Sequence, residues 1–236
     1  MEAIIPQKQI YYPETDGEPM AENTLQFEWI VTIKEGLEAT FAEDADVFVA
    51  GDLFWYPTEG RPDIRYAPDV LAVFGRPKGH RRSYLQWREE NIAPQVVFEI
   101  LSPSNRVAEI MRKFEFYQQH GVEEYYIYNP DSHSLEGWLR NESLLLEIDS
   151  INGWVSPRMG VRFVIDNGPL ELYRPDGSPF LTYQQLVQAR RQAEQEVKSA
   201  QQQVQQAQQQ ARQAQQQAQN LAQKLREMGV DPDQIS

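Results

Sequence analysis

At 236 residues, with 41% hydrophobic side chains, five tryptophans and no cysteine, the chain can bury one substantial core and has neither disulfides nor thiolate metal sites. Its formal net charge of −13 is concentrated in residues 1–180, which hold 16 basic against 30 acidic side chains. Phosphate binding without sequence preference depends on clustered Lys and Arg, so that balance argues against a general polyanion binder. No apolar run approaches the ~18 residues of a membrane span, and the acidic start "MEAIIPQKQIYYPETDGEP" lacks a signal pattern, so a soluble, cytoplasmic protein without a membrane partner is expected.

Residues 1–20 read as an irregular arm. From "ENTLQFEWIVTIKEGLEATFAED" the apolar residues Leu25, Ile30, Val31, Leu37 and Phe41 follow a helical stripe, which predicts a helix near 23–40. "ADVFVAGDLFWYP", "PDVLAVFG" and "PQVVFEILS" are short, β-rich and bounded by Pro or Gly, as strands are. "NRVAEIMRKFEFYQQHG" then places Val107, Ile110, Met111, Phe114 and Tyr117 on one helical face and stops at Gly121, with Ser102 and Ser104 as candidate caps. "EEYYIYNP" is a fourth strand, and "SLEGWLR", "LLLEIDS", "WVSPRMGVRFVI" and "LELYRPDG" continue as a meander of short strands. The expected class is α/β (α+β), a mixed sheet flanked by helices over residues 21–180.

The tail differs in kind. Val197, Ala200, Val204, Ala207, Ala211, Ala214, Ala218, Leu221, Leu225 and Met228 alternate at steps of three and four, and glutamine fills most other sites. That spacing predicts a coiled coil over 181–229, weak because alanine dominates the seam, followed by a terminal segment 230–236. A single helix or a disordered glutamine-rich tail is the simpler alternative.

Three residues carry candidate chemistry. Glu99 interrupts the apolar run "VVFEIL" and shares a strand face with Val97 and Leu101; an ionised carboxylate there requires a partner, a proton or a metal. Asp69 opens the preceding strand in "APDVLAVFG", and if the two strands pair, both carboxylates meet at one end of the sheet. Oxygen ligands with retained waters suit Mg²⁺. Lys113, on the helix after the Glu99 strand, could hold a water or neutralise a phosphate oxygen, or simply salt-bridge Glu99. The loop "GRPKGHRRSYLQW" gathers Arg76, Lys78, Arg81 and Arg82 between the two acid-bearing strands, a candidate phosphate-gripping loop or an ordinary solvated turn. His80, His120 and His133 lack zinc-type spacing, and no phosphate-loop or dinucleotide fingerprint occurs.

"APDVLAVFG", "VVFEILSPSN" and "KFEFYQQHGVEEYYIYNP" together resemble the Uma-type family of restriction-endonuclease-like proteins, within the PD-(D/E)XK nuclease superfamily. The resemblance spans about residues 20–175, and the tail ending in "LREMGVDPDQI" is similar to that of some family members. It implies a restriction-endonuclease-like sheet core and Mg²⁺-dependent hydrolysis of DNA phosphodiesters, with Mn²⁺ as a substitute. Carried over by position, the first acid is Asp69 and the second Glu99, and the backbone carbonyl of Ile100 or a neighbour completes the metal ligands. The superfamily lysine would fall on Leu101; the resemblance moves that role to Lys113. Glu109 and Tyr117 on the same helix, Asp52 in "VAGDLFWYP" and Glu28 on the first helix are accessory candidates. A homodimer joined by the coiled coil would bring two single-cut sites to the two DNA strands. Two other readings remain open: an inactive nuclease fold that recruits partners through its tail, and a scaffold in which the tail is the main function.

Overall fold

The computed structural model describes residues 10–15, 17, 21 and 23–228. The chain forms two compact units, Met1–Thr182 and Tyr183–Ser236. The first contains helices α1 (Thr24–Thr40) and α2 (Val107–Gln119). Its strands are β1 (Val47–Gly51), β2 (Trp55–Tyr56), β3 (Val70–Phe74), β4 (Tyr84–Leu85), β5 (Val96–Ile100), β6 (Glu124–Asn129), β7 (Ser134–Asn141), β8 (Leu144–Glu147), β9 (Arg162–Val164) and β10 (Glu171–Tyr173). The second unit is helix α3 (Tyr183–Glu227).

A six-stranded mixed sheet in the order β1-β3-β5-β6-β7-β8 forms the core. All its neighbours are antiparallel except β5 and β6, whose parallel pairing follows from the α2 crossover between them. Strand alternation sorts the apolar residues into two layers. Val70, Ala72, Val96, Phe98 and Ile100 face Ile30, Ile33 and Leu37 of α1 and the β9–β10 hairpin, whereas Leu71, Val73, Val97, Tyr125 and Ile127 face Phe116 and Tyr117 of α2. All five residues of β5 are buried, as expected of a strand covered on both sides. Gly36 gives α1 room for the ring of Phe180; a Cβ there would lie 2.1 Å from a ring carbon.

Several expectations change in detail. "ADVFVAGDLFWYP" is two strands, because Asp52 takes a left-handed conformation (φ 48°) and turns the chain out of the main sheet. Tyr84 and Leu85, inside the expected loop, pair in parallel with Trp55 and Tyr56. On α1, Leu25 is exposed and Ile33 takes its place in the core. On α2 Phe116 and Tyr117 are buried, and Ile110 and Phe114 are partly buried beside them. Val107 and Met111 are exposed, because at about 100° per residue they fall on the flank of that face. Ser102 and Ser104 do not cap α2: they hydrogen-bond each other, Asn105 closes the turn on the Ser102 amide, and Arg106 occupies the N-cap without a side-chain bond.

The arm expected over 1–20 is seen at residues 10–15 and 17, where Tyr12 packs against Tyr56 and Trp87 and Glu14 meets Arg82. The expected termination of the last helix at Gly229 and the 230–236 segment lie outside the described residues. In α3 the seam positions Val197, Val204 and Leu221 are exposed. Among the described residues no helix is long and apolar enough to cross a membrane.

Candidate active site

β3 and β5 run antiparallel with Val70 opposite Phe98. Asp69, one residue before β3, therefore meets the C-terminal end of β5, and alternation points it to the same face as Leu71, the α2 face that also receives Glu99. The two acids are 9% and 4% exposed. Asp69 is tied to β5 directly, because its Oδ2 accepts the Ile100 amide at 2.6 Å.

α2 supplies the compensation. Lys113 Nζ donates to Glu99 Oε2 at 2.8 Å, and Tyr117, one turn later, donates its hydroxyl to Glu99 Oε1 at 2.5 Å. Burial pushes the Asp69 carboxyl well above its usual range, and the neighbouring Glu99 charge pushes it further, against the pull of Lys113. Burial alone would lower the Lys113 pKa, but the charges of Glu99 and Asp69 outweigh it and the net shift is upward, so the ammonium persists at neutral pH. Burial, then Glu99, also raises Tyr117, which stays a protonated donor.

The third element is α1. Gln26 lies in its first turn, where the Asn23 side chain caps the Gln26 amide. Its own Nε2 donates to the Ile100 carbonyl at 2.9 Å. The backbone oxygen expected to complete the ligand set is thereby oriented by a residue that sequence reasoning passed over. Glu28, expected as an accessory acid on this helix, is exposed and lines neither cavity at this site. A polar residue on the buried stripe of α1, in register with Ile30 and Ile33, was the available signal.

Between these groups lies a cavity of ≈ 30 Å³ lined by Asp69, Glu99, Ile100, Glu109 and Lys113 among others. That is room for one ion or a water or two. It adjoins a cleft of ≈ 940 Å³ that shares Gln26, Asp69, Asn105, Glu109 and Lys113 with it and adds Asp52, Arg65, Tyr66, Arg112 and His120. Burial lowers the His120 pKa, favouring a neutral imidazole. Among the described residues no cluster of three or more His, Cys, Asp or Glu could hold a metal unaided. Two carboxylates and a carbonyl around an ion-sized space form an all-oxygen set, and a hard cation that keeps some of its waters fits it. The raised pKa of Asp69 points the same way, since a divalent charge would offset both the burial that chiefly causes it and the repulsion from Glu99.

The structure thus brings together Asp69, Glu99, Ile100, Lys113 and Tyr117, with Glu109 lining both the cavity and the cleft and Asp52 lining the cleft. It does not bring the basic loop there. β3 carries the chain away from Asp69, so residues 75–82 emerge at the far end of the strand, five residues or about 17 Å away. The Gly75 and Arg76 amides bond there to the Asp46 carbonyl, beside the start of β1. The loop's cations are also engaged: Arg76 and Arg81 both hold Glu89, Lys78 meets Glu38 at 3.5 Å, and Arg82 meets Glu14. Expected beside the acids, the loop is placed elsewhere by the antiparallel direction of β3.

The chain's residues 19–166 match the family described as "Uma2: Putative restriction endonuclease". A crystal structure described as "a putative nuclease belonging to DUF820 from Anabaena variabilis ATCC 29413" is similar at 16% identity, over 61% of this chain and 79% of that one, with a TM-score of 0.44. No curated protein matches the chain. With more than half of its length matched, the chain belongs to the Uma2 family of restriction-endonuclease-like proteins.

Proposed function

We propose that the protein is a Mg²⁺-dependent endonuclease that hydrolyses DNA phosphodiester bonds, with Mn²⁺ able to substitute. The observation that carries this reading is the convergence of Asp69, Glu99 and Lys113 on an ion-sized cavity that opens beside a cleft. Membership of a restriction-endonuclease-like family supports it. Asp69, Glu99 and the Ile100 carbonyl would hold the cation, which when bound polarises a phosphate oxygen and lowers the pKa of an attacking water. The protein's own groups prepare that event. The Ile100 amide fixes one Asp69 oxygen, Tyr117 fixes the rotamer of Glu99, and Gln26 aims the carbonyl. Lys113 pairs with Glu99 at 2.8 Å and offers its charge toward the phosphate. Asp52 lines the cleft and Glu109 both the cleft and the small cavity, and both can order water there. In this reading the protein works in the cytoplasm as a homodimer paired through α3, each subunit cutting one strand.

One observation favours a second reading. Both oxygens of Glu99 already have partners, so the Glu99–Lys113–Tyr117 group is also satisfied as a purely structural network within a non-catalytic fold that recruits partners through its tail. Plasmid nicking and calorimetry separate the two. Nicking that requires Mg²⁺ or Mn²⁺ and is lost in Asp69→Ala and in Glu99→Ala, together with cation binding that both changes remove, is the expected result. Nicking that survives both substitutions, or wild-type protein that binds no divalent cation, refutes the nuclease assignment.

A further inference from the structure

The cleft beside Asp69 holds two cations that nothing above uses. Arg65 reaches it from the segment between β2 and β3, and Arg112 from α2, the residue before Lys113. Neither has a carboxylate partner among the described residues, whereas all four cations of the 76–82 loop have one. Arg65 is braced rather than neutralised: it donates to the Pro62 carbonyl at 2.6 Å, and its guanidinium lies 5.1 Å from the centroid of the Phe54 ring. Arg112 is exposed.

The charge around them is unusual for a nucleic-acid site. Of the charged residues that line the cleft, Asp63 is balanced by Arg61, while Asp69, Glu109 and Glu115 stand with Arg65, Arg112 and Lys113. Lys113 is already committed to Glu99. A phosphodiester entering such a cleft meets net repulsion unless the acids are first neutralised and a free guanidinium can bind its oxygens.

Resting on the nuclease reading above, we infer that Arg65 and Arg112 are the phosphate-binding residues of this protein, gripping the nucleic-acid backbone from two parts of the cleft lining, and that they do so only after a divalent cation has occupied the acidic site. The two guanidiniums hold the strand through charge-assisted hydrogen bonds, and the cation removes the repulsion that otherwise keeps it out. The basic loop at the other end of β3 takes no part.

The test is a binding titration of full-length protein against a short fluorescent DNA duplex over a series of salt concentrations, with Ca²⁺ in place of Mg²⁺ to suppress cleavage. Wild type is expected to bind with Ca²⁺ and to lose binding in chelator. Arg65→Gln and Arg112→Gln are each expected to weaken binding about fivefold or more and to reduce the salt slope by about one phosphate contact. Arg65→Lys should recover part of the affinity, which separates charge from packing on Phe54, and Arg190→Gln on α3 should match wild type. If wild type binds in a cation-dependent way while Arg65→Gln and Arg112→Gln keep wild-type affinity and salt slope, this inference fails and the nuclease reading stands. Cation-independent binding of wild type with the arginine effects intact overturns the ordered entry. Wild type that neither binds nor cuts DNA in any divalent cation overturns both.

Discussion

Lys113 shows how a single side chain settles the character of a buried acidic pair. Without it Asp69 and Glu99 face each other with only hydrogen bonds to hold their charge. Its folded pKa is raised, so its contribution is complete below the unfolded value near 10.4 and is lost only as pH climbs through the higher folded value; at neutral pH it is fully present. Lys113→Met should therefore lower the unfolding free energy by about 3–5 kcal/mol in urea titrations near pH 7 in chelator, the cost of breaking a buried ion pair. Asp69 sets the pH trend. Its folded pKa is raised, so the penalty of its ionisation appears as pH rises, and the Lys113→Met deficit should be smaller near pH 5 than near pH 8. A loss below about 0.5 kcal/mol at both would show that the lysine is not the counter-charge. Position 101, just after β5, carries no charge: Leu101 joins the apolar layer under α2 while its amide bonds to the Tyr128 carbonyl.

Elements were legible in the sequence where periodicity and burial agreed. α1, β3, β5, α2 and β6 lie where their patterns put them, and the Asp69–Glu99 meeting followed from strand pairing alone. Where one residue redirects the backbone, pattern fails: Asp52 ends β1 through a left-handed conformation that an aspartate tolerates and no period announces. Gln26 and Arg65 were missed because neither interrupts an expected strand in the way that Glu99 does. The position of the basic loop could have been read. Asp69 precedes β3 and Glu99 is the last residue but one of β5, so if those ends meet in an antiparallel pair, the connection must sit at the other end.

α3 is the element whose role most needs a measurement. Its 45 residues form one helix of about 68 Å, with a seam of mostly alanine that would bury little per layer. If that seam pairs two copies, light scattering should give a dimer for the full chain and a monomer for a protein ending at Thr182. A truncated protein that stays dimeric would transfer the pairing to the first unit.

At the scale of the whole molecule, charge is partitioned. The acidic first unit neutralises its basic loop with its own carboxylates and, among the described residues, leaves the cleft guanidiniums of Arg65 and Arg112 without a carboxylate partner beside the buried acids. A surface arranged this way resists casual contact with polyanions, so any affinity for DNA should be modest, with a salt slope set by the few phosphate contacts the cleft provides.

The far-end connection between β3 and β5 also means that chain continuity and site geometry are separable. Asp69 and Glu99 are held by the pairing of their strands and by the Ile100 amide, not by the residues that join them. Gly79 is exposed at φ 147° with nothing near its missing side chain, and the Arg76–Glu89 and Arg81–Glu89 pairs anchor the chain on both sides of it. A circular permutant whose termini open at Gly79 is expected to keep divalent-cation binding within about threefold of wild type by calorimetry, as breaks at exposed loop tips usually allow. A permutant that folds but no longer binds the cation would show that the site depends on the connection after all.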